Sequence, residues 1–174
     1  MSKVRVFLTL TGYQLTWLAC VFGEIKFNQA NLGVYIGFIY LTIYLYFNQN
    51  KTNFLIVASL IATPGYLFDT ILVYFKVYEF NSSLLIGTLP PWMIILWLSF
   101  STLFDQILTF FKNFKKTGLF LSCISGPLTY YLGEPIGVIT INNAILFFSL
   151  MIFFWYLLMF YYLNIVLNIV LKRN

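Results

Sequence analysis

The 174-residue chain contains no histidine. That absence excludes imidazole metal sites, haem ligation through histidine, the histidine clusters of di-iron desaturases and imidazole acid/base catalysis. Charge is nearly as scarce: Asp, Glu, Lys and Arg make up 9% of the residues against 61% hydrophobic, with a mean hydropathy of +0.88. Such a composition has too few polar side chains to make a water-facing surface, so lipid must cover most of it. Cysteine is limited to Cys20 and Cys123. They sit in separate apolar runs and are expected to pack as small apolar groups, with no disulfide, metal site or other cofactor. The net charge of +5 comes from basic residues spread over short loops and tails. No exposed face gathers them, so the bilayer and not nucleic acid is the expected partner. No Ser-His, Cys-His or phosphate-loop arrangement can be drawn, so an enzyme acting by itself is disfavoured and no catalytic residue is assigned. A lone intramembrane aspartate acting on a lipid stays open.

What the chain does have is long apolar runs, from Val6 to Gly23, Leu32 to Phe47, Phe54 to Phe75, Trp92 to Phe111, Gly118 to Leu132 and Ala144 to Leu171. A hydrocarbon core of about 30 Å needs about 20 helical residues. The third, fourth and sixth runs meet that length, and the second and fifth are short. The fifth also carries Pro127 and precedes Gly133, Glu134 and Pro135, which leaves a half-helix or re-entrant segment over 118–132 open. The reading is an all-α fold, a polytopic transmembrane bundle of six helices forming one integral membrane domain over 1–174. It puts Lys3, Arg5, Lys51, Lys112, Lys115, Lys116, Lys172 and Arg173 on one side and only Lys26 and Lys76 on the other. The positive-inside rule then places both termini in the cytoplasm and Glu24, Glu79 and Glu134 in outer loops. Leu18, Ala19 and Cys20 faintly resemble a lipoprotein cleavage box. Trp17 and the apolar run beyond Cys20 instead predict an uncleaved first helix, with the mature chain beginning at or near Met1.

Thirteen of the fifteen charged residues fall between the runs, and only Asp69 and Asp105 lie inside one. A mid-helix carboxylate costs about 2.5 to 3.5 kcal/mol on the insertion scale, so each is expected to face the bundle. Asp69 lies near the outer end of its run and Asp105 near the inner end of the next, about 12 Å apart in depth, which argues against one acid/base pair. Ser59, Thr63, Tyr66 and Thr70 read as a polar stripe with Asp69. Trp17 and Trp97 reach similar depth, Gln14 lies one turn below Trp17, and Trp97, Ser101 and Asp105 follow at steps of four. Asp69, Gln14, Trp17, Tyr66, Trp97, Ser101 and Asp105 are therefore the candidate ligand-binding residues, around a polar-aromatic cavity opening toward the outer leaflet. The alternative is that hydroxyls and indole N–H groups simply satisfy the aspartates and glue the bundle.

Other features read as structural. Pro64-Gly65 predicts a packing accommodation or a hinge. Gly33 with Gly37, and Ser122 with Gly126, allow close helix approach. Pro90-Pro91-Trp92 predicts a helix start with an interfacial aromatic anchor. Tyr161, Asn164 and Asn168 form a weak polar stripe suited to helix contacts.

The segments Tyr13-Gln14-Leu15-Thr16-Trp17, Asp69-Thr70-Ile71-Leu72, Pro91-Trp92-Met93-Ile94-Ile95-Leu96-Trp97 and Gly126-Pro127-Leu128-Thr129-Tyr130-Tyr131-Leu132-Gly133 together resemble a small bacterial inner-membrane family, domain of unknown function 2878. The likeness covers nearly the whole chain and rests on the order of the motifs. It implies a multi-pass bacterial inner-membrane location without an established activity, and lipid-modifying membrane enzymes as neighbours. Three functions follow as expectations: binding or helping to process a lipid or other hydrophobic ligand near Asp69, proton-coupled transport using Asp69 and Asp105, or a non-catalytic role in membrane assembly.

Overall fold

The computed structural model describes residues 3–172, with the side chains of Lys3 and Val4 left out. The expected start at Met1 and the charge of Arg173 lie outside the described residues. The chain is mainly helical: α1 (Lys3–Phe27), α2 (Asn31–Phe47), α3 (Lys51–Tyr74), α4 (Trp92–Gln106), α5 (Lys115–Tyr131), a short α6 (Gly133–Ile136), α7 (Ala144–Tyr161) and α8 (Leu167–Leu171). A π-helical turn, Tyr162–Val166, joins α7 to α8 in one apolar helix over Ala144–Leu171. That helix, Arg5–Phe27 and Lys51–Tyr74 are each long and apolar enough to cross a membrane. The helix Asn31–Phe47 is apolar but shorter, at 17 residues.

Two runs end differently from their sequence reading. The fourth does not continue to Phe111 as one α-helix, because α4 stops at Gln106 and Leu108–Asn113 tightens into a 3-10 helix. Asp105 therefore sits in the last turn of α4, where its carboxylate reaches α2. The fifth run passes through Pro127 as an unbroken helix of 17 residues, about 26 Å long at the α-helical rise.

The gap between α3 and α4, too short to fold alone, contains a strand. β1 (Tyr78–Phe80) pairs antiparallel with β2 (Ile139–Ile141) in the register Tyr78↔Ile141, Glu79↔Thr140 and Phe80↔Ile139. Strand alternation sends Tyr78 and Ile139 inward and Glu79 and Thr140 outward. The ribbon ties the α3–α4 connection to the segment before α7. Glu24, in the last turn of α1, accepts from Ser82 and Ser83 of the same connection. At the opposite end Asn48, after α2, bonds Asp105 near the end of α4, and Lys115 at the start of α5 bonds Asn164 beyond α7. The long helices α1, α2, α3, α4, α5 and the joined α7–α8 thus run in alternating directions.

α4 is the central helix, packing on α1, α2 and α3, while α5 packs on α7. Small residues permit these approaches. A Cβ on Gly33 would lie 2.6 Å from the Cys20 Cα, and one on Gly37 2.0 Å from the Ile95 side chain. Gly65 is occupied in the same way by the Trp97 ring, so the Pro64-Gly65 step serves packing, with α3 continuous through it. Of the Tyr161, Asn164 and Asn168 stripe, Asn164 accepts from Lys115 Nζ of α5 at 2.8 Å, while the Asn168 amide donates to the Asn164 carbonyl of its own helix. Cys20 is buried, Cys123 is partly buried, and both are free thiols.

Candidate functional site

Asp69 is completely buried in α3. A carboxylate removed from water needs donors for its lone pairs, and three converge on it from three other elements. Trp97 Nε1 of α4 donates to Oδ2 at 2.7 Å, and the Tyr78 hydroxyl of β1 donates to Oδ1 at 2.8 Å. The Tyr130 hydroxyl of α5 is shared between the two oxygens, at 2.9 and 2.8 Å. Every one of these donors is a neutral group on an aromatic ring. Tyr78 reaches the carboxylate only because the ribbon folds its strand back over the end of α3.

Beside this cluster lies a cavity of about 210 Å³. Its walls include Tyr13 and Trp17 of α1, Trp92, Trp97 and Phe100 of α4, Tyr130 of α5 and Trp155 of α7. The chain has four tryptophans, and all four line this one space. Trp97 and Trp155 stack at 5.8 Å between centroids with their planes 21° apart. Gly126 makes room for Trp155, since a Cβ there would lie 2.1 Å from the ring. Ser125 and Thr129 stand at the edge of the cavity with exposed side chains. Residues of α1 and α5 both line the cavity, and these two helices do not pack closely on each other.

Glu24 forms a second buried carboxylate behind the same walls. Its six-percent exposure corrects the expectation of a loop residue, because α1 runs on to Phe27 and the α3–α4 connection closes over it. Ser82 and Ser83 donate their hydroxyls at 2.8 Å, the Ser83 N–H donates at 2.7 Å, and Trp92 Nε1 donates at 3.3 Å. Trp92 is accordingly buried and not the interfacial anchor expected at the helix start.

Asp105 belongs to a different place. It accepts from the Tyr44 hydroxyl at 2.5 Å, Asn48 Nδ2 at 3.0 Å and Gln106 Nε2 at 2.9 Å. These three donors line a groove of about 450 Å³ between α1 and α2, with Leu8, Leu15 and Ile39 among its apolar walls. Asp69 and Asp105 have no hydrogen-bond partner in common among the described residues.

The structure therefore brings together Asp69, Trp17 and Trp97 of the candidate set. Ser101 is buried one turn beyond Trp97, but its hydroxyl donates back to the Trp97 carbonyl at 2.9 Å. Tyr66 is half-buried against the core and lines neither cavity. Gln14 is exposed and also lines neither. The stripe through Ser59 and Thr63 faces outward, because Asp69 shares its face with Ala58, Ala62, Gly65 and Leu72, while Ser59 and Thr63 are displaced from Asp69 by about 80° and 120° at 100° per residue. Sequence reasoning missed Tyr78, Tyr130 and Glu24. The signal for Tyr130 was its place in the Gly126–Gly133 motif; Tyr78 and Glu24 gave none beyond being an aromatic and an acid flanking apolar runs.

Comparison with known proteins identifies a family. The family model described as "Protein of unknown function (DUF2878)" matches residues 6–161. Neither a curated protein nor a solved structure matches the chain. The chain belongs to the DUF2878 family.

Proposed function

We propose that this DUF2878 member is a multi-pass protein of the bacterial inner membrane that binds, or helps to process, a lipid or other hydrophobic ligand in the four-tryptophan cavity beside Asp69. The observation that carries this reading is an aromatic cavity walled in part by α1 and α5, two helices that do not pack closely on each other, between which a ligand dissolved in the bilayer would enter. At about 210 Å³ the space is smaller than the roughly 300 Å³ at which drug-sized pockets begin, so it suits a head group or chain segment rather than a whole lipid. Lipid-modifying membrane enzymes are the partners such a protein would serve.

The proposed topology has six crossings with both termini cytoplasmic. Two observations support it: the alternating direction of the helices, and the gathering of Lys51, Lys112, Lys115, Lys116 and Lys172 at the end opposite Glu24 and the β-ribbon. A reporter fused after residue 174 is expected to be active only if it is a cytoplasmic reporter; activity of a periplasmic reporter there would overturn the topology.

Binding is tested by mass spectrometry of lipids retained by the purified wild type and by Asp69→Asn. Selective enrichment of one lipid class that is lost in the variant supports the reading. Identical, bulk-like profiles would count against it and leave Asp69 as a packing residue.

A further inference from the structure

The walls of the tryptophan cavity are connected to buried negative charge in a way that selects among hydrophobic ligands. Trp97 and Tyr130 both donate to Asp69, and Trp92 donates to Glu24. All three rings line the cavity. Hydrogen bonds in a low-dielectric interior polarise one another, and a ring whose N–H or O–H points at a carboxylate gains electron density on its face. The faces of tryptophan and tyrosine already carry the negative end of a quadrupole that attracts cations.

The hydrogen bonds that hold Asp69 and Glu24 come from indole, phenol, hydroxyl and backbone donors, none of them cationic. No lysine or arginine lines the cavity among the described residues. Two carboxylates thus stand behind an aromatic chamber whose walls contribute no positive charge.

We propose that the cavity takes a substituted ammonium group, held by the electron-rich rings of Trp92 and Tyr130 and by the field of the carboxylates behind them. This inference rests on the ligand-binding reading above and narrows it to a cationic ligand. The ammonium group can belong to a lipid head group entering between α1 and α5 or to a free small cation, and the same chemistry recognises both.

All four tryptophans report on the site, so the test is tryptophan emission of the detergent-purified protein titrated with choline, with its neutral isostere 3,3-dimethylbutanol, and with a short-chain phosphocholine lipid against the matching phosphoglycerol lipid. The expected result is saturable change with choline or the phosphocholine lipid, at least about tenfold tighter than with the neutral or glycerol counterpart, the scale of a desolvated cation–ring contact. Response to choline itself identifies a free cation as sufficient, and response only to the phosphocholine lipid identifies a head group. Asp69→Asn is expected to erase the preference of the cation over its neutral counterpart. Should that variant not fold, Tyr130→Phe keeps the ring, breaks its bonds to Asp69, and is expected to reduce the preference. Equal binding of cation and neutral isostere would overturn the cation inference and leave the hydrophobic site standing; no response to any compound would overturn both.

Discussion

The two aspartates that fall inside apolar runs occur in nearly matching sequence, Leu67-Phe68-Asp69 and Leu103-Phe104-Asp105, each with a lysine seven residues on, yet they sit in opposite kinds of place. Asp69 is sealed by three aromatic donors, two of which form walls of a small tryptophan-lined chamber. Asp105 is partly exposed at the end of α4, held by a phenol and two amides beside an aliphatic groove whose Leu8, Leu15 and Ile39 face outward. Full burial and fixed aromatic donors set the first apart. The second resembles the interhelical polar contacts by which membrane bundles fix helix position. What separates them is not local sequence but which distant elements arrive: a ribbon and α5 at Asp69, α2 at Asp105.

That contrast can be broken by substitution. The largest effect is expected for Asp69→Ala, which leaves the Tyr78 and Tyr130 hydroxyls and the Trp97 N–H without their buried acceptor. At about 1 to 3 kcal/mol for a buried unsatisfied donor, the loss of stability is about 3 kcal/mol or more, read as the denaturant or thermal midpoint in detergent. A smaller loss for Asp69→Ala than for Asp105→Ala would invert the comparison. Gly126→Ala comes next: its Cβ would meet Trp155 at 2.1 Å, and a destabilisation of about 1 to 3 kcal/mol with altered tryptophan emission is expected from overpacking. Unchanged emission would place Trp155 elsewhere. Asp105→Asn retains an acceptor for Tyr44 and is expected to cost about 1 kcal/mol with no change in lipids retained. A lipid change there would give the second groove the standing claimed for the first. The smallest effect is expected for Ser59→Ala, whose exposed side chain lies away from both sites, within about 0.5 kcal/mol of wild type.

Much of this was legible in the chain. Apolar runs located the long helices, and the cost of a charge in lipid singled out Asp69 and Asp105 before any contact was known. Trp17 and Trp97 were placed near Asp69 by depth along antiparallel helices, and both line its cavity. Depth carries no azimuth, which is why Gln14 was grouped with them although its side chain faces outward. The donors escaped because they are long-range: Tyr130 is 61 positions from Asp69, and Tyr78, only nine away, depends on pairing with β2 across the molecule. Glu24 escaped because a loop 58 and 59 residues distant covers it. Periodicity reads a helix's own face and cannot name the element that will pack there.

The most direct test of the central claim is to embed the protein in bilayers containing a photoactivatable lipid and map the attachment sites by peptide mass spectrometry. The account predicts labelling concentrated on Tyr13, Trp17, Ser125 and Thr129, the residues around the cavity and its opening. Labelling spread over outward faces such as Phe7 and Ile145, with the cavity residues unmarked, would contradict it.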